Sequence, residues 1–363
     1  MAGTVKHAFA GGNTALGRTN SFASAFQGAY ALFLLEGGPG TGKSTMIQKI
    51  ADGVRDQGAQ AWWFHNPLNH ETLDGLWIPS AAIGVVDAAA CLDAFAGFTD
   101  TKIITVSLQG AVSRDILTPY QQELQQIQEQ IEERYASATD SFLHTLRIHD
   151  DWEKYYIDHI RFDAADQVTE ELKSLIPDAS SERPVQSTRH LYLGAATSVG
   201  AVDYVMNLTE QLDRRIFVKG RPGSGKSTML KKLVATGEER GQSVEVYHCG
   251  FDPNSLDMVI FPALSLAIFD STAPHEHFPS REGDEILDMY VRTIDEGTDE
   301  RYADGIAQVK AQYAASMKAS LAILAEVKQL RDRLRAIYAE ATDYAVVEEI
   351  GSRLCTNVLS RLK

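Results

Sequence analysis

The chain has 363 residues, 44% of them hydrophobic and 23% charged, a globular composition that rules out disordered, collagen-like and mucin-like chains and suits about two domains. Lys plus Arg number 34 against 49 Asp plus Glu, a formal net charge of −15, which argues against nucleic acid or an anionic membrane as the main partner. The start, MAGTVKHAFAGG, has no secretory apolar core, no run of ~18 apolar residues follows, and Cys91, Cys249 and Cys355 have neither disulfide nor zinc spacing. The expectation is a soluble, cytoplasmic protein.

In chain order, a short strand is predicted from Lys6 to Ala10. A second apolar run, Ala31 to Leu35, enters the glycine-rich loop Gly37-Gly38-Pro39-Gly40-Thr41-Gly42-Lys43-Ser44-Thr45. A helix follows to about Arg55. Next come a strand from Ala61 to His65, a loop, a strand ending in Asp87, and a β-like run from Ile103 to Leu108. Thr118-Pro119 then opens a long helix, with Tyr120, Leu124, Ile127, Ile131 and Tyr135 on one face. A polar, proline-containing joint, roughly Pro177 to Arg189, ends this half.

The same order then repeats. Strands are predicted at His190 to Leu193 and Ile216 to Val218, followed by the loop Gly220-Arg221-Pro222-Gly223-Ser224-Gly225-Lys226-Ser227-Thr228. A helix to about Ala235, a strand from Val244 to His248, a strand ending in Asp270, a run from Ile286 to Val291 and a helix through Tyr302, Ile306, Val309 and Tyr313 complete it. One ungapped offset of 183 residues superposes the halves, with about 20 identities in the 84 positions from His7 to Ala90. The expected architecture is α/β: two tandem P-loop domains, 1–180 and 186–363, each a mainly parallel sheet flanked by helices with a long helical C-terminal extension.

The two loops carry the chemistry. A triphosphate needs many N–H donors aimed inward, and glycines let a backbone wrap that tightly in front of a helix N-terminus. Lys43 and Lys226 would reach the β- and γ-phosphates, with Ser44 and Ser227 on Mg²⁺. Asp87 and Asp270, each ending a buried run, would hold the same ion through water; a strand-ending Asp also caps turns. The halves differ at this point. Polar Ser271-Thr272-Ala273-Pro274-His275 follows Asp270, whereas Ala88-Ala89-Ala90-Cys91 follows Asp87, so the second half is the expected place for turnover.

His65 and His248 end equivalent strands, and Asp252, Asp257 and Asp74 lie just beyond; any of them could orient a nucleophile. His248 and Asp252 are the first choices at the second site. Arg281 is a candidate arginine finger, with a surface ion pair as its plain alternative. His275-Glu276-His277 makes only a weak metal pair, and His7 and His190 read as structural.

Those residues, His190 to Thr197, Gly220 to Thr228, Tyr247 to Asp257 and Asp270 to Glu285, resemble an uncharacterised bacterial family of tandem P-loop ATP-binding proteins. The resemblance implies a duplicated nucleoside triphosphatase using ATP and Mg²⁺, without naming a substrate, acceptor or protein partner. The family's first half carries a polar tail after its strand-end Asp, and Ala88–Ala90 depart from it. Two alternatives stand beside ATP hydrolysis: a small-molecule or nucleotide kinase, although no Arg-rich lid is visible, and a nucleotide-gated interaction module. Homo-oligomerisation stays open.

Overall fold

The computed structural model describes residues 2–179 and 188–362; most of the expected joint lies outside them. The first half runs β1 (Val5–Ala8), a hairpin of β2 (Gly11–Thr14) and β3 (Gly17–Asn20), α1 (Phe22–Ala25), β4 (Ala31–Glu36), α2 (Lys43–Asp56), β5 (Ala61–His65), β6 (Leu73–Ile78), β7 (Ile83–Asp87), α3 (Ala88–Cys91), β8 (Lys102–Ser107), α4 (Arg114–Leu117), α5 (Gln121–Ile157) and α6 (Phe162–Lys173). The second repeats it: β9 (Thr188–Tyr192), β10 (Gly194–Thr197), β11 (Gly200–Asp203), α7 (Val205–Leu208), β12 (Arg214–Lys219), α8 (Lys226–Glu239), β13 (Val244–His248), β14 (Leu256–Phe261), β15 (Leu266–Asp270), β16 (Asp284–Asp288), α9 (Met289–Thr293), α10 (Thr298–Arg301), α11 (Ala303–Glu340) and α12 (Tyr344–Leu359).

Each half forms a six-stranded sheet, ordered β1-β5-β6-β7-β4-β8 and β9-β13-β14-β15-β12-β16. Five strands of each run parallel, while β6 and β14 run antiparallel to both neighbours. Those two correct the sequence reading, which expects a loop there. LDGLWI and LDMVIF are buried at every position, so they lack the in–out alternation that marks a half-exposed strand. The small hairpins β2–β3 and β10–β11 are likewise absent from the sequence reading.

The halves pack as an isologous pair, each position meeting the counterpart of its partner. Phe9 and Tyr192, equivalent at the 183-residue offset, exchange both backbone hydrogen bonds at 3.0 Å. The His7 N–H donates to Asn207 Oδ1 (2.7 Å) and the His190 N–H to Ser24 Oγ (2.6 Å), and those four residues map onto one another. Ala15 N donates to Phe251 O, and Ser198 N to Leu68 O, in the same reciprocal way. This is the contact pattern of a two-fold dimer written into one chain. One face of both sheets shares a core: Phe26, Phe64 and Trp77 from the first half with Tyr247, Met258 and Phe269 from the second.

The helical extensions cross over. α5 and α11, of 37 and 38 residues, lie antiparallel, packed along Ile127, Ile131, Phe142, Leu324 and Val327. Small polar residues allow close approach at their crossing, where Thr145 Oγ1 bonds Ser316 Oγ at 2.7 Å and Ser141 Oγ bonds Ser320 Oγ at 2.8 Å. α12 then covers α2 of the first half, burying Val347, Leu354 and Val358 against Ile47, Ile50 and Val54. Gly53 and Gly351 make that helix pair tight: a side chain would begin 3.1 Å from Leu359 Cδ1 or 3.3 Å from Met46 Cε. Conversely, α6 of the first half, with the segment just after it, covers α8 of the second through Val168, Leu172 and Ile176. The repeat boundaries therefore divide the sequence, while each folded unit takes its last helix from the other half. Among the described residues no helix is long and apolar enough to cross a membrane.

Candidate functional site

Both glycine-rich loops sit at the carboxyl ends of parallel strands, β4 and β12, where open α/β sheets place their ligands. Gly42 (φ 91°) and Gly225 (φ 86°) occupy the left-handed region just before α2 and α8, a conformation that costs other residues ~1–2 kcal/mol. The helix N-termini thus open towards each loop. Thr41 and Ser224 are buried inside it, and Thr45 and Thr228 are exposed on the following turn. Thr41 Oγ1 donates to Gly38 O, whereas the Ser224 hydroxyl has no hydrogen-bond partner among the described residues.

The lysines are buried and folded onto their own loops. Lys43 Nζ donates to Gly37 O (2.7 Å) and Gly38 O (2.8 Å), and Lys226 Nζ to Arg221 O (2.9 Å). Each ammonium also lies 3.6 Å from the carboxylate ending the neighbouring strand, Asp87 Oδ2 or Asp270 Oδ2. Ser44 and Ser227 accept from the Leu73 and Leu256 N–H groups, both at 3.0 Å, which fixes each hydroxyl while leaving it a lone pair. Asp87 Oδ1 accepts from Ala89 N, and Asp270 Oδ1 from Thr272 N and Oγ1. A lysine and a strand-end aspartate thus meet at both loops, with the serine one residue further along the same helix.

Behind each lysine lies a second carboxyl. Burial pushes Asp74 up to about 7, against hydrogen bonds from Asn66 and with help from Asp87. Burial similarly raises Asp257 to about 6, with Asp270 adding to it.

Three of the predicted catalytic residues are otherwise engaged. His248 Nδ1 donates to Pro253 O (2.8 Å), so its Nε2 accepts from His190 Nδ1–H (2.9 Å), and burial keeps the ring neutral by lowering its pKa. Neither nitrogen is left for a water. His65 is held identically by His70 O and His7, which gives His7 and His190 the structural role expected of them. Asp252 closes the following turn, accepting from Asn254 N and Ser255 Oγ. Arg281 lies at the wrong end of the sheet. It precedes β16, whose first residue, Asp284, pairs in register with Arg215 near the start of β12, whereas the loop follows the end of β12. Its guanidinium instead binds the carbonyls of Thr209, Glu210 and Leu212. A finger on a preceding-loop residue cannot be told from a structural arginine until the strand direction is known.

What sequence reasoning misses comes from the crossed helices. α11 lies on the first loop: a side chain on Gly40 would begin 2.5 Å from Arg335 O, and one on Gly38 would begin 2.4 Å from the Tyr338 ring. One turn earlier, Arg331 is near enough for its charge to oppose the burial that raises both Asp74 and Asp87. At the second loop, α5 brings the Glu153 carbonyl to within 2.7 Å of where a Gly223 side chain would begin. It also brings His149 into the field of Lys226 and Asp252. The only sequence signal for this is the helical spacing itself, which does not say which half a helix serves.

Comparison with protein-family models, with curated proteins and with solved structures found no match to this chain.

Proposed function

We propose that the chain is a Mg²⁺-dependent, ATP-binding and ATP-hydrolysing protein with two P-loops, in which the second site carries the turnover. The observation that supports it is the set found at each loop: a buried lysine beside a strand-end aspartate, and a helix-opening serine next to that lysine, after a backbone turned left-handed by glycine. The donors suit magnesium, since Ser227 Oγ and the Asp270 carboxylate are hard oxygens. Bound there, the ion would neutralise charge on the phosphates. Lys226 would exchange its Arg221 carbonyl for phosphate oxygens, the free N–H groups of α8 would face the same charge, and Asp257 would stand behind the lysine.

Purified protein should release phosphate from ATP only with Mg²⁺, and Lys226→Ala should cut the rate roughly 100-fold or more, as losing one charge-stabilising donor does. Lys43→Ala should weaken nucleotide binding more than turnover. Unchanged hydrolysis in Lys226→Ala refutes the assignment to the second loop. A second reading, a nucleotide-gated interaction module, is favoured by the contacts of Arg335, Tyr338 and Glu153 on the loops, which would pass loop movement to 37- and 38-residue helices. Tight binding with negligible turnover selects it.

A further inference from the structure

The second site has a feature that its twin lacks and that the roles above leave unused. The segment after β15 folds back on itself: Ser271 Oγ donates to His277 O (2.7 Å) and accepts from His277 N (3.0 Å). Lys219, the last residue of β12, clamps the fold by donating to Ser271 O (2.7 Å) and His277 O (3.0 Å). Both histidines of the segment then converge on one carboxylate at the end of hairpin strand β11. His275 Nδ1 lies 3.0 Å from Asp203 Oδ2, and His277 Nε2 lies 3.0 Å from Asp203 Oδ1. His275 is 15% exposed, and its Nε2 has no hydrogen-bond partner among the described residues.

The surroundings favour the charged form of the ring. Burial alone would lower the pKa of His275, but its bond to Asp203 and the charges of Asp203, Asp257 and Asp270 outweigh it and raise it. Asp257 and Asp270 are the carboxylates that flank Lys226. Burial likewise works against Asp203, yet the two histidines hold it at about 2. The result is a histidine biased towards its charged form and braced by a carboxylate, with Nε2 outside any hydrogen bond among the described residues and the ring within the field of Asp270, which lies 3.6 Å from the loop lysine. At the 183-residue offset the first half carries Asn20, Leu92 and Ala94 in place of Asp203, His275 and His277, and Glu36 in place of Lys219. There Asn20 Nδ2 merely donates to Cys91 O.

We propose that His275, oriented by Asp203, binds the terminal phosphate of the nucleotide at the second site through its Nε2–H, filling the place that Arg281 does not reach. A cation aimed at that phosphate recognises the triphosphate over the diphosphate, and the first site, without the pair, does not discriminate in this way. The inference rests on the proposed P-loop function, and the experiment separates the two.

In a Lys43→Ala background, which leaves the second loop to be read, Mg-ATP and Mg-ADP affinities are measured by calorimetry for the parent, His275→Gln and Asp203→Asn, with thermal melts alongside. The expected result is a loss of ATP affinity of tenfold or more in His275→Gln with ADP affinity within twofold of the parent. Asp203→Asn, which keeps the imidazole but not its brace, should give a smaller loss in the same direction. Equal weakening of both nucleotides, or an unchanged ATP-to-ADP ratio, overturns the role of His275. Absence of any Mg-nucleotide binding in the Lys43→Ala parent and in the unaltered chain overturns the P-loop reading beneath it.

Discussion

Replacing Leu354 by alanine should loosen the half of the chain to which it does not belong in sequence. Leu354 is 5% exposed on α12 and packs with Val358 on Ile47, Ile50 and Val54 of α2. Truncating a leucine in such a site removes its transfer energy and leaves a cavity, since Gly351 and Gly53 already hold the helices too close to sag inward, so a cost of about 3 kcal/mol is expected, within the ~2–5 kcal/mol range for such changes. Three kcal/mol is roughly a hundredfold in the opening equilibrium. Hydrogen exchange read by mass spectrometry should therefore show α2 and its neighbouring strands exchanging up to about a hundredfold faster, while α8 changes little. Leu172→Ala on α6, which lies on α8, should give the mirror result. If Leu354→Ala deprotects α8 while α2 stays as in the parent, the crossed packing of the helices is refuted.

Two further outcomes follow. Arg215 and Asp284 form a bidentate pair (2.7 and 2.6 Å) whose side chains are 2% and 0% exposed, so Asp284→Ala strands a buried guanidinium and should cost ~3–5 kcal/mol in chemical denaturation; a loss below about 1 kcal/mol would show that water reaches the arginine. The raised Asp74 sets a pH dependence. Its pKa moves from 3.8 unfolded to about 7 folded, so between those values the folded state holds more protons and stability is lost as pH rises through the window, up to roughly 4 kcal/mol. The nucleotide-free chain should melt at a lower temperature at pH 8 than at pH 5, and Asp74→Asn should flatten that slope. A melting temperature that climbs over this range contradicts the sign.

The loops and the sheets around them were legible because their signals are local. A glycine-rich turn between an apolar run and a helix is written in consecutive residues, and Asp87 and Asp270 announce themselves by ending apolar runs. β6 and β14 escaped because burial on both faces erases alternation, and their antiparallel direction is set by short connections rather than by composition. His248 was attractive at a strand end, but the sequence does not show that His190, 58 positions earlier, would take its second nitrogen. The position of Arg281 depends on which end of β16 it precedes, and the partnership of Asp203 with His275 spans 72 positions. The crossing of α6 and α12 is the least legible of all, because a helix with an apolar face specifies that it must be covered and not by which copy of a repeated surface.

That crossing also sets a timetable for synthesis. α2 is complete at Asp56, yet the residues that cover it, Val347 to Val358, are made about 300 positions later. At the ~5–20 residues per second of a ribosome, Ile47, Ile50 and Val54 wait roughly 15–60 s for their cover. α8 has no such wait, since α6 precedes it in the chain. The second folded unit can close as it emerges, whereas the first, though made earlier, is finished last and carries an unshielded apolar helix throughout, which makes it the half that most needs a chaperone during translation.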